Sequence, residues 1–240
     1  MRRKLIAGNW KMNGRADWAD RPGRLADATA GLEGVDLLIC PPHPYLAALV
    51  GTDGVQIGGQ DCHAEAGGAH TGEVSAEMLA DVGASHVIVG HSERRAAGET
   101  DAQVRAKAEA AIRAGLVPIV CVGESLDQRE SGNAVSTVLD QLSASLPQTD
   151  TKEADAEIVV AYEPVWAIGT GKVATPDDIA DMHAAIREVV GDGVRILYGG
   201  SVKPANAADV LGTPNVDGAL VGGASLEVES FAAIAKAAAG

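Results

Sequence analysis

A glutamate in the second half of the chain stands where a catalytic base could act. Glu163 directly follows Ile158–Tyr162, an apolar segment whose branched residues predict a buried strand. The next segment, Pro164–Ala174, is stiff at its start and rich in glycine at its centre, which is typical of a loop that closes over a site. Thr175 and Pro176 then mark the start of a helix. We therefore predict a carboxylate base at a strand end, beneath a lid.

Polar side chains of complementary types follow two other apolar segments. Asn9 and Lys11 follow the first one, and His91 stands between another and Ser92–Arg95, which has the sequence of a first helical turn. A helix N-terminus disfavours an added positive charge, so we expect His91 to be neutral and to donate a hydrogen bond. Together with Glu163, these residue types fit proton transfer at a carbon acid. The carboxylate would remove the proton, the imidazole would polarise the carbonyl, and the ammonium would balance the enediolate charge.

Two pairs of glycines suggest a site for an anion. Gly199-Gly200 precedes Ser201, and Gly222-Gly223 follows the last predicted strand. Glycine lets backbone amides approach a bound anion closely, and a helix start after each pair would aim further amides at it. These residues predict a phosphate cradle, but turns at the rim of a barrel are an equally good interpretation.

Two motifs of nucleotide-binding proteins occur in the chain and both are rejected. Residues 169–174 match G-x-G-x-x-A, but they lie within the long loop instead of in the tight turn after a strand. Gly171-Lys172 lacks the earlier glycine and the following serine or threonine of a P-loop. Because no metal-spaced set of His, Cys and carboxylates stands out either, we expect no metal and no other cofactor.

These polar residues must be positioned by short buried strands that alternate with helices. Eight apolar runs predict strands, at Leu5–Asn9, Leu37–Cys40, Val55–Gly58, His86–Gly90, Val117–Val122, Ile158–Tyr162, Val194–Tyr198 and Gly218–Val221. The helical candidates include Asp101–Ala114, Ala134–Leu146, Thr175–Val190 and Leu226–Ala239. Such alternation predicts an α/β fold with parallel strands, and eight units favour a closed eight-stranded barrel over a doubly wound open sheet. Because no linker divides the chain, residues 1–240 are expected to form a single domain.

The composition limits the partners and the compartment. With 19 Lys and Arg against 33 Asp and Glu, the formal charge of -14 argues against binding to nucleic acid or to anionic membranes. The N-terminus does not fit a signal peptide, and no apolar run approaches the ~18 residues of a membrane helix. Cys40, Cys62 and Cys121 are too few and too scattered for a disulfide framework. We expect a cytoplasmic protein with buried free thiols.

Longer motifs carry a resemblance to a known family. The main ones are GNWKMNG at 8–14, VGHSERR at 89–95, AYEPVWAIGTGK at 161–172 and YGGSV at 198–202. Further agreement comes from Gln60, Thr71–Val74, Cys121–Glu124 and Val221–Gly223. In this order, and over nearly the whole chain, they resemble the triosephosphate isomerases. The resemblance implies a TIM barrel that interconverts dihydroxyacetone phosphate and D-glyceraldehyde 3-phosphate in glycolysis and gluconeogenesis, without a cofactor.

The resemblance also implies roles for the matching residues. Glu163 would be the base, His91 the neutral electrophile and Lys11 the electrostatic partner, as is known for that family. Asn9 would contact a substrate oxygen, and Glu93 would lie close to Lys11. The remaining implied binding residues are those whose backbone amides hold the phosphate, around Gly169, Ser201, Gly222 and Gly223.

The family forms homodimers, and the resemblance places Thr71 in the loop that enters the partner's active-site region. His70 stands where the family often has an aromatic residue, which leaves the strength of the dimer open. Two other functions remain possible at this point. Lys11 could form a Schiff base, as in aldolases of similar architecture, or the chain could be an inactive homologue that only binds. The joint presence of Asn9, Lys11, His91 and Glu163 argues against mere binding, which would not need the base.

Overall fold

The structure is a computed structural model, and it describes residues 2–147, 157–168 and 174–239. Its strands agree with the predicted ones to within two residues at each end. They are β1 Lys4–Asn9, β2 Val35–Cys40, β3 Gln56–Gly59, β4 His86–Val89, β5 Val117–Val122, β6 Val159–Tyr162, β7 Arg195–Tyr198 and β8 Gly218–Val221. Boundaries of this kind depend on where the last ladder hydrogen bond forms, which sequence patterns do not fix.

All eight strands are parallel and close into one barrel in chain order, from β1 to β8. The closing pair is β1 with β8, in the register Leu5↔Gly218 to Gly8↔Val221. The predicted barrel is therefore confirmed, and the doubly wound open sheet is excluded because β1 and β8 would lie apart in it. Parallel strands all end on the same side, so the residues after each strand gather at one rim.

Alternate residues of each strand point into the barrel and fill it with small and branched side chains. The interior set includes Leu5 and Ala7 of β1 and Cys121 of β5, all fully buried. The other face of each strand packs under the helices, where Ile6 and Val120 are also fully buried. Both faces of the sheet are covered, which explains why the strands are near-continuous apolar runs.

Helices follow the strands on the outside of the barrel. They are α1 Arg21–Ala28, α2 His43–Leu46, α3 Ala76–Asp81, α4 Ser92–Ala96, α5 Asp101–Arg113, α6 Leu126–Glu130, α7 Ala134–Ser145, α8 Pro176–Val190, α9 Ala207–Gly212 and α10 Val228–Ala238. Thr100 and Thr175 close capping boxes at the starts of α5 and α8, so the predicted helix start at Thr175 is correct. Within the described residues, no helix is long and apolar enough to cross a membrane.

The end of the barrel opposite the rim is closed by charged residues. Arg195 and Arg3 both donate to the carboxylate of Asp36, over 2.9 Å and 2.7 Å. His86, at the start of β4, is 3% exposed, and its Nδ1 lies 2.8 Å from the hydroxyl of Ser85. Burial, together with the charge of Arg195, lowers the pKa of His86 from 6.5 to about 4. His183 on α8 is fully buried, and burial likewise lowers its pKa to about 4.

We expect the free energy of unfolding to decrease as the pH falls from about 7 towards 4. His86 and His183 stay neutral in the folded chain until about pH 4, whereas unfolded imidazoles gain a proton near pH 6.5, so unfolding takes up protons between these values. Each histidine should account for a loss of about 2 kcal/mol at pH 5. Urea titrations across this range measure the loss. His86→Gln should lower the proton uptake near pH 5 by about one, and an unchanged pH slope would contradict this origin.

Candidate active site

A cavity of about 560 Å³ opens at the rim where the strands end. It gathers residues from the ends of five strands that are far apart in the chain. Seven of the residues predicted for the site line it: Asn9, Lys11, His91, Glu163, Ser201, Gly222 and Gly223. The eighth, Gly169, lies outside the described residues, as does the centre of the predicted lid.

The carboxylate of Glu163 meets the imidazole of His91 in this cavity. His91 Nε2 lies 3.1 Å from Glu163 Oε1, and both side chains are nearly buried. The other ring nitrogen, Nδ1, accepts a hydrogen bond of 3.2 Å from the backbone N–H of Glu93 in the first turn of α4. A nitrogen that accepts carries no proton, so the arrangement fits a neutral ring with the proton on Nε2. Nε2 is therefore the donor that faces the cavity.

Glu163 is also tied to the start of α4 by two further hydrogen bonds. The backbone N–H of Ser92 donates to Oε2 and its hydroxyl donates to Oε1, both over 2.9 Å. A carboxylate at a helix N-terminus is stabilised by the orphan amides and the helix dipole there. From its sequence context, Ser92 was expected only to belong to a helix start. Its contact with Glu163 depends on β4 and β6 ending at the same rim.

Lys11 has an unusual backbone conformation that is held on both sides. Its φ is 52°, in the left-handed region that non-glycine residues rarely occupy. Its N–H donates to Asn9 Oδ1 over 2.9 Å, and its carbonyl accepts from the side chain of Gln60 over 2.9 Å. Asn9 and Gln60 together therefore fix the turn that sends the lysine side chain towards the cavity. Sequence analysis named Gln60 only as a point of agreement with the family.

The ammonium of Lys11 forms an ion pair with Glu93, with 2.6 Å between Nζ and Oε1. Partial burial opposes ionisation of Glu93, but the hydrogen bond and charge of Lys11 lower the pKa of this carboxyl. Glu93 thus lies close to Lys11, as the resemblance implied. Glu93 also lies in the first turn of α4, whose N-cap is His91. The ion pair therefore connects Lys11 with this helix.

Two glycines make room for Glu163. A Cβ at Gly199 would lie 2.8 Å from Glu163 Cγ, and a Cβ at Gly123 would overlap the Glu163 carbonyl. Real Cβ atoms do not approach other atoms this closely, so β5 and β7 can flank the glutamate only with glycine at these positions. Gly199 therefore borders the space in which the carboxylate lies.

The first residues of the predicted lid are anchored to the barrel. Trp166 lies in a short 3-10 turn, and its indole N–H donates over 2.7 Å to Glu124, which is fully buried. Tyr162 and Arg129 donate to the same carboxylate oxygen, and the Arg129 guanidinium also stacks over the indole. The entry to the lid is thus a fixed point, whose anchor was not identified from the sequence.

The two glycine pairs differ from the prediction in one respect. Gly223–Ser225 is a 3-10 turn directly after β8, and Gly222 lies so close to Lys11 that an added Cβ would be 3.5 Å from Lys11 Cε. A helix does follow Gly199-Gly200, but α9 begins only at Ala207, so its first amides do not adjoin the pair in the chain. Only the second pair leads straight into helical backbone, since the first is followed by an irregular segment.

Within residues 2–147, 157–168 and 174–239, no group of three or more His, Cys, Asp or Glu side chains is placed to hold a metal ion. Lys11 and His91 line the cavity, and their donor groups suit an anionic ligand.

The family model for triosephosphate isomerase matches residues 4–238. The chain belongs to the triosephosphate isomerase family. Its curated relatives include the triosephosphate isomerase of Afipia carboxidovorans, 58% identical over 98% of this chain and 97% of that protein. Another, the triosephosphate isomerase of Ruegeria sp., is 55% identical over 98% of this chain and 97% of that protein. The crystal structure of triosephosphate isomerase from Bartonella henselae matches the fold with a TM-score of 0.88, at 44% identity and over 98% of both chains.

Membership of the triosephosphate isomerase family makes this chain an isomerase with a TIM barrel, as the sequence analysis expected. Matches of this length cover every strand and every described residue of the cavity. The similarity to the family therefore includes the residues at the rim of the barrel as well as those of its core.

We expect Gly199→Ala to lower isomerase turnover at least ~10-fold, because the added methyl displaces the Glu163 side chain from its place in the cavity. Gly212→Ala is the matched control, since a Cβ there meets no atom within 4 Å. Steady-state kinetics of both variants, with thermal melts to check folding, measure the effect. Equal turnover in the two variants would show that Gly199 does not limit the position of Glu163.

Proposed function

We propose that this chain interconverts dihydroxyacetone phosphate and D-glyceraldehyde 3-phosphate by proton transfer through an enediolate, without a cofactor. The observation that carries the proposal is the contact of 3.1 Å between His91 Nε2 and Glu163 Oε1 in a cavity that Lys11 also lines. A base, a neutral donor and an ammonium are the three groups that this chemistry requires. Family membership adds the substrate pair.

In the proposed reaction, Glu163 removes a proton from one of two neighbouring substrate carbons and returns it to the other, while a hydroxyl proton passes between the oxygens on these two carbons. His91 donates from Nε2 to the substrate oxygens, and Lys11 balances the negative charge of the enediolate. Asn9 contacts a substrate oxygen. Glu163 must exchange its hydrogen bonds from Ser92 for the substrate, so the carboxylate has to move within the space beside Gly199.

The proposal assigns the phosphate of the substrate to backbone amides around Gly169, Ser201, Gly222 and Gly223. The last three line the same cavity as Lys11, which supplies a positive charge beside the glycines. Pro164–Ala174 serves as the lid, anchored at Trp166. Closure would exclude water from the enediolate phosphate, which protects it from losing its phosphate and strengthens the electrostatic interactions.

A Schiff base at Lys11 fits this geometry less well than an electrostatic role. The nucleophile of a Schiff-base enzyme is a neutral amine, whereas Lys11 is paired with Glu93 over 2.6 Å. Borohydride treatment in the presence of substrate should therefore leave no covalent adduct on the chain.

Glu163→Gln is the direct test of the base. The amide keeps the shape of the side chain but cannot take up a proton, so we expect turnover of glyceraldehyde 3-phosphate to fall at least ~10²-fold. Inhibition by inorganic phosphate should change little, because Glu163 is not assigned to the phosphate. A coupled assay of the parent and the variant, purified in parallel, measures both effects.

The two proteins together separate the possible outcomes. Fast turnover in the parent that collapses in Glu163→Gln supports the reaction and its base. Turnover that is equal in both removes Glu163 from this role or reveals a contaminating enzyme. A parent without turnover would favour the inactive, binding-only homologue.

The same proposal includes a homodimer. Two methionines expose much of their side chains: Met12, on the loop after β1, is 97% exposed, and Met78 on α3 is 54% exposed. The loop 64–73, which contains Thr71, also projects with nearly every residue exposed. His70 in this loop stacks on His63, with 3.9 Å between ring centroids. A methionine that is almost fully exposed supports this proposal, because apolar surface gains free energy when an interface removes it from water.

We expect Met12→Glu to weaken this dimer, because the substitution places a charge in an interface that excludes water. Sedimentation equilibrium should give a dissociation constant at least ~10-fold above that of the parent. Val189→Glu, at an exposed site on α8, is the matched control and should leave the constant unchanged. A monomeric parent would contradict the proposed dimer.

We further propose that residues 1–240 form a single domain and that the enzyme acts in the cytoplasm. The barrel spans β1 to β8, with the first strand paired to the last, so a division of the chain would break the sheet. Triose phosphates are intermediates of glycolysis and gluconeogenesis, which supports the assignment to the cytoplasm.

A further inference from the structure

We propose that Arg95 is a positioning residue for His91: its guanidinium fixes the Gly90–His91 turn and thereby sets where the imidazole and the first amides of α4 point. The inference rests on the proposed function, in which His91 is the donor to the substrate. Arg95 itself does not line the cavity, so it acts through the turn and not on the substrate.

The first contact is with the turn itself. Arg95 Nε donates over 2.8 Å to the carbonyl of Gly90, the residue directly before His91. Gly90 has a φ of 69°, in the left-handed region, and a Cβ there would lie 2.8 Å from Val104 and 3.1 Å from Arg95 Nη2. The glycine and the arginine therefore fit each other closely. This turn connects β4 to α4, and the side chain of Arg95 in α4 contacts the turn again.

The other donors of the guanidinium reach three further elements. Nη2 donates to the carbonyl of Cys121 on β5 over 3.1 Å and to the hydroxyl of Ser145 at the end of α7 over 2.9 Å. Nη1 pairs with Asp101 at the start of α5 over 2.5 Å. Ser145, fully buried, donates in turn to Asp101 over 3.1 Å. A planar fork with five fixed donors can satisfy all these acceptors at once, but a single ammonium cannot.

This arrangement matters because two contacts of Glu163 depend on the same turn. His91 Nε2 and the backbone N–H of Ser92 both face the carboxylate, and these are the first and second residues after Gly90. A shift of the turn would move the donor and the resting place of the base together. Misplacement by about 1 Å can cost ~10²-fold in rate.

A purely structural role for Arg95 is the alternative, since it also joins α5 to α7. The chain offers a matched control for this alternative. Arg105 on α5 donates from Nη2 to the carbonyl of Ser143 on α7 over 2.8 Å and therefore joins the same two helices without contacting the turn.

The test compares Arg95→Lys with Arg105→Met. We expect kcat of Arg95→Lys to fall at least ~10-fold while KM stays within about threefold, because the donor is displaced and the phosphate site is not. Arg105→Met should keep kcat within about twofold, even if its melting temperature falls. A folded Arg95→Lys with the kcat of the parent would overturn the proposal. So would an equal loss of kcat in both variants.

If Arg95→Lys does not fold, Ser145→Ala replaces it. This change removes one acceptor of the guanidinium at a site remote from the cavity, and we expect kcat to fall about two- to fivefold with KM unchanged. A kcat equal to that of Arg105→Met would overturn the proposal.

An NMR measurement separates this inference from the proposed reaction. In ¹⁵N spectra of the substrate-free protein, Arg95→Lys or Ser145→Ala should shift the ring nitrogens of His91 while those of His183 on α8 stay in place. Unshifted His91 signals would overturn the positioning role. If the variant shifts the His91 signals but the parent has no isomerase activity, the positioning role is supported and the proposed reaction is not.

Discussion

Closure of the sheet between β1 and β8 is the constraint on which the site depends. Leu5 donates its N–H to the carbonyl of Asp217 over 2.9 Å, and the strands continue in register from there. Gly218 starts β8 with a φ of 151°, and a Cβ at this position would overlap the Leu5 carbonyl. A residue other than glycine would therefore hold the two strands apart. Closure brings Lys11, after β1, beside Gly222, after β8, at opposite ends of the chain.

The start of α4 is the second organising feature, because it supports two side chains of the site at once. Its amides donate to Nδ1 of His91 and to the carboxylate of Glu163, and a helix N-terminus stabilises acceptors of this kind. Glu163 and His91, the proposed base and donor, are thereby held in contact. The helix has only five residues, and the guanidinium of Arg95 within it donates back to the carbonyl of Gly90.

The charge of the molecule sets a further condition on the site. A protein with a formal charge of -14 repels an anionic substrate at long range, so the attraction must be local. Lys11 supplies it, in a backbone conformation that Asn9 and Gln60 hold in place. Pairing with Glu93 keeps the ammonium in a defined position and reduces its net charge. The proposed phosphate site therefore combines backbone amides with the lysine.

The sequence by itself determined the residue types of the site and the elements that carry them. Strands that are buried on both faces are continuous apolar runs in the sequence. Glu163 and His91 could be identified because each is a polar residue close after the end of such a run. Only the tertiary structure decided that the sheet is closed and which side chains support the site. Ser92 reaches Glu163 across 71 positions and Gln60 reaches Lys11 across 49. Contacts of this kind arise from strand register and rim geometry, and no local pattern of residues encodes them.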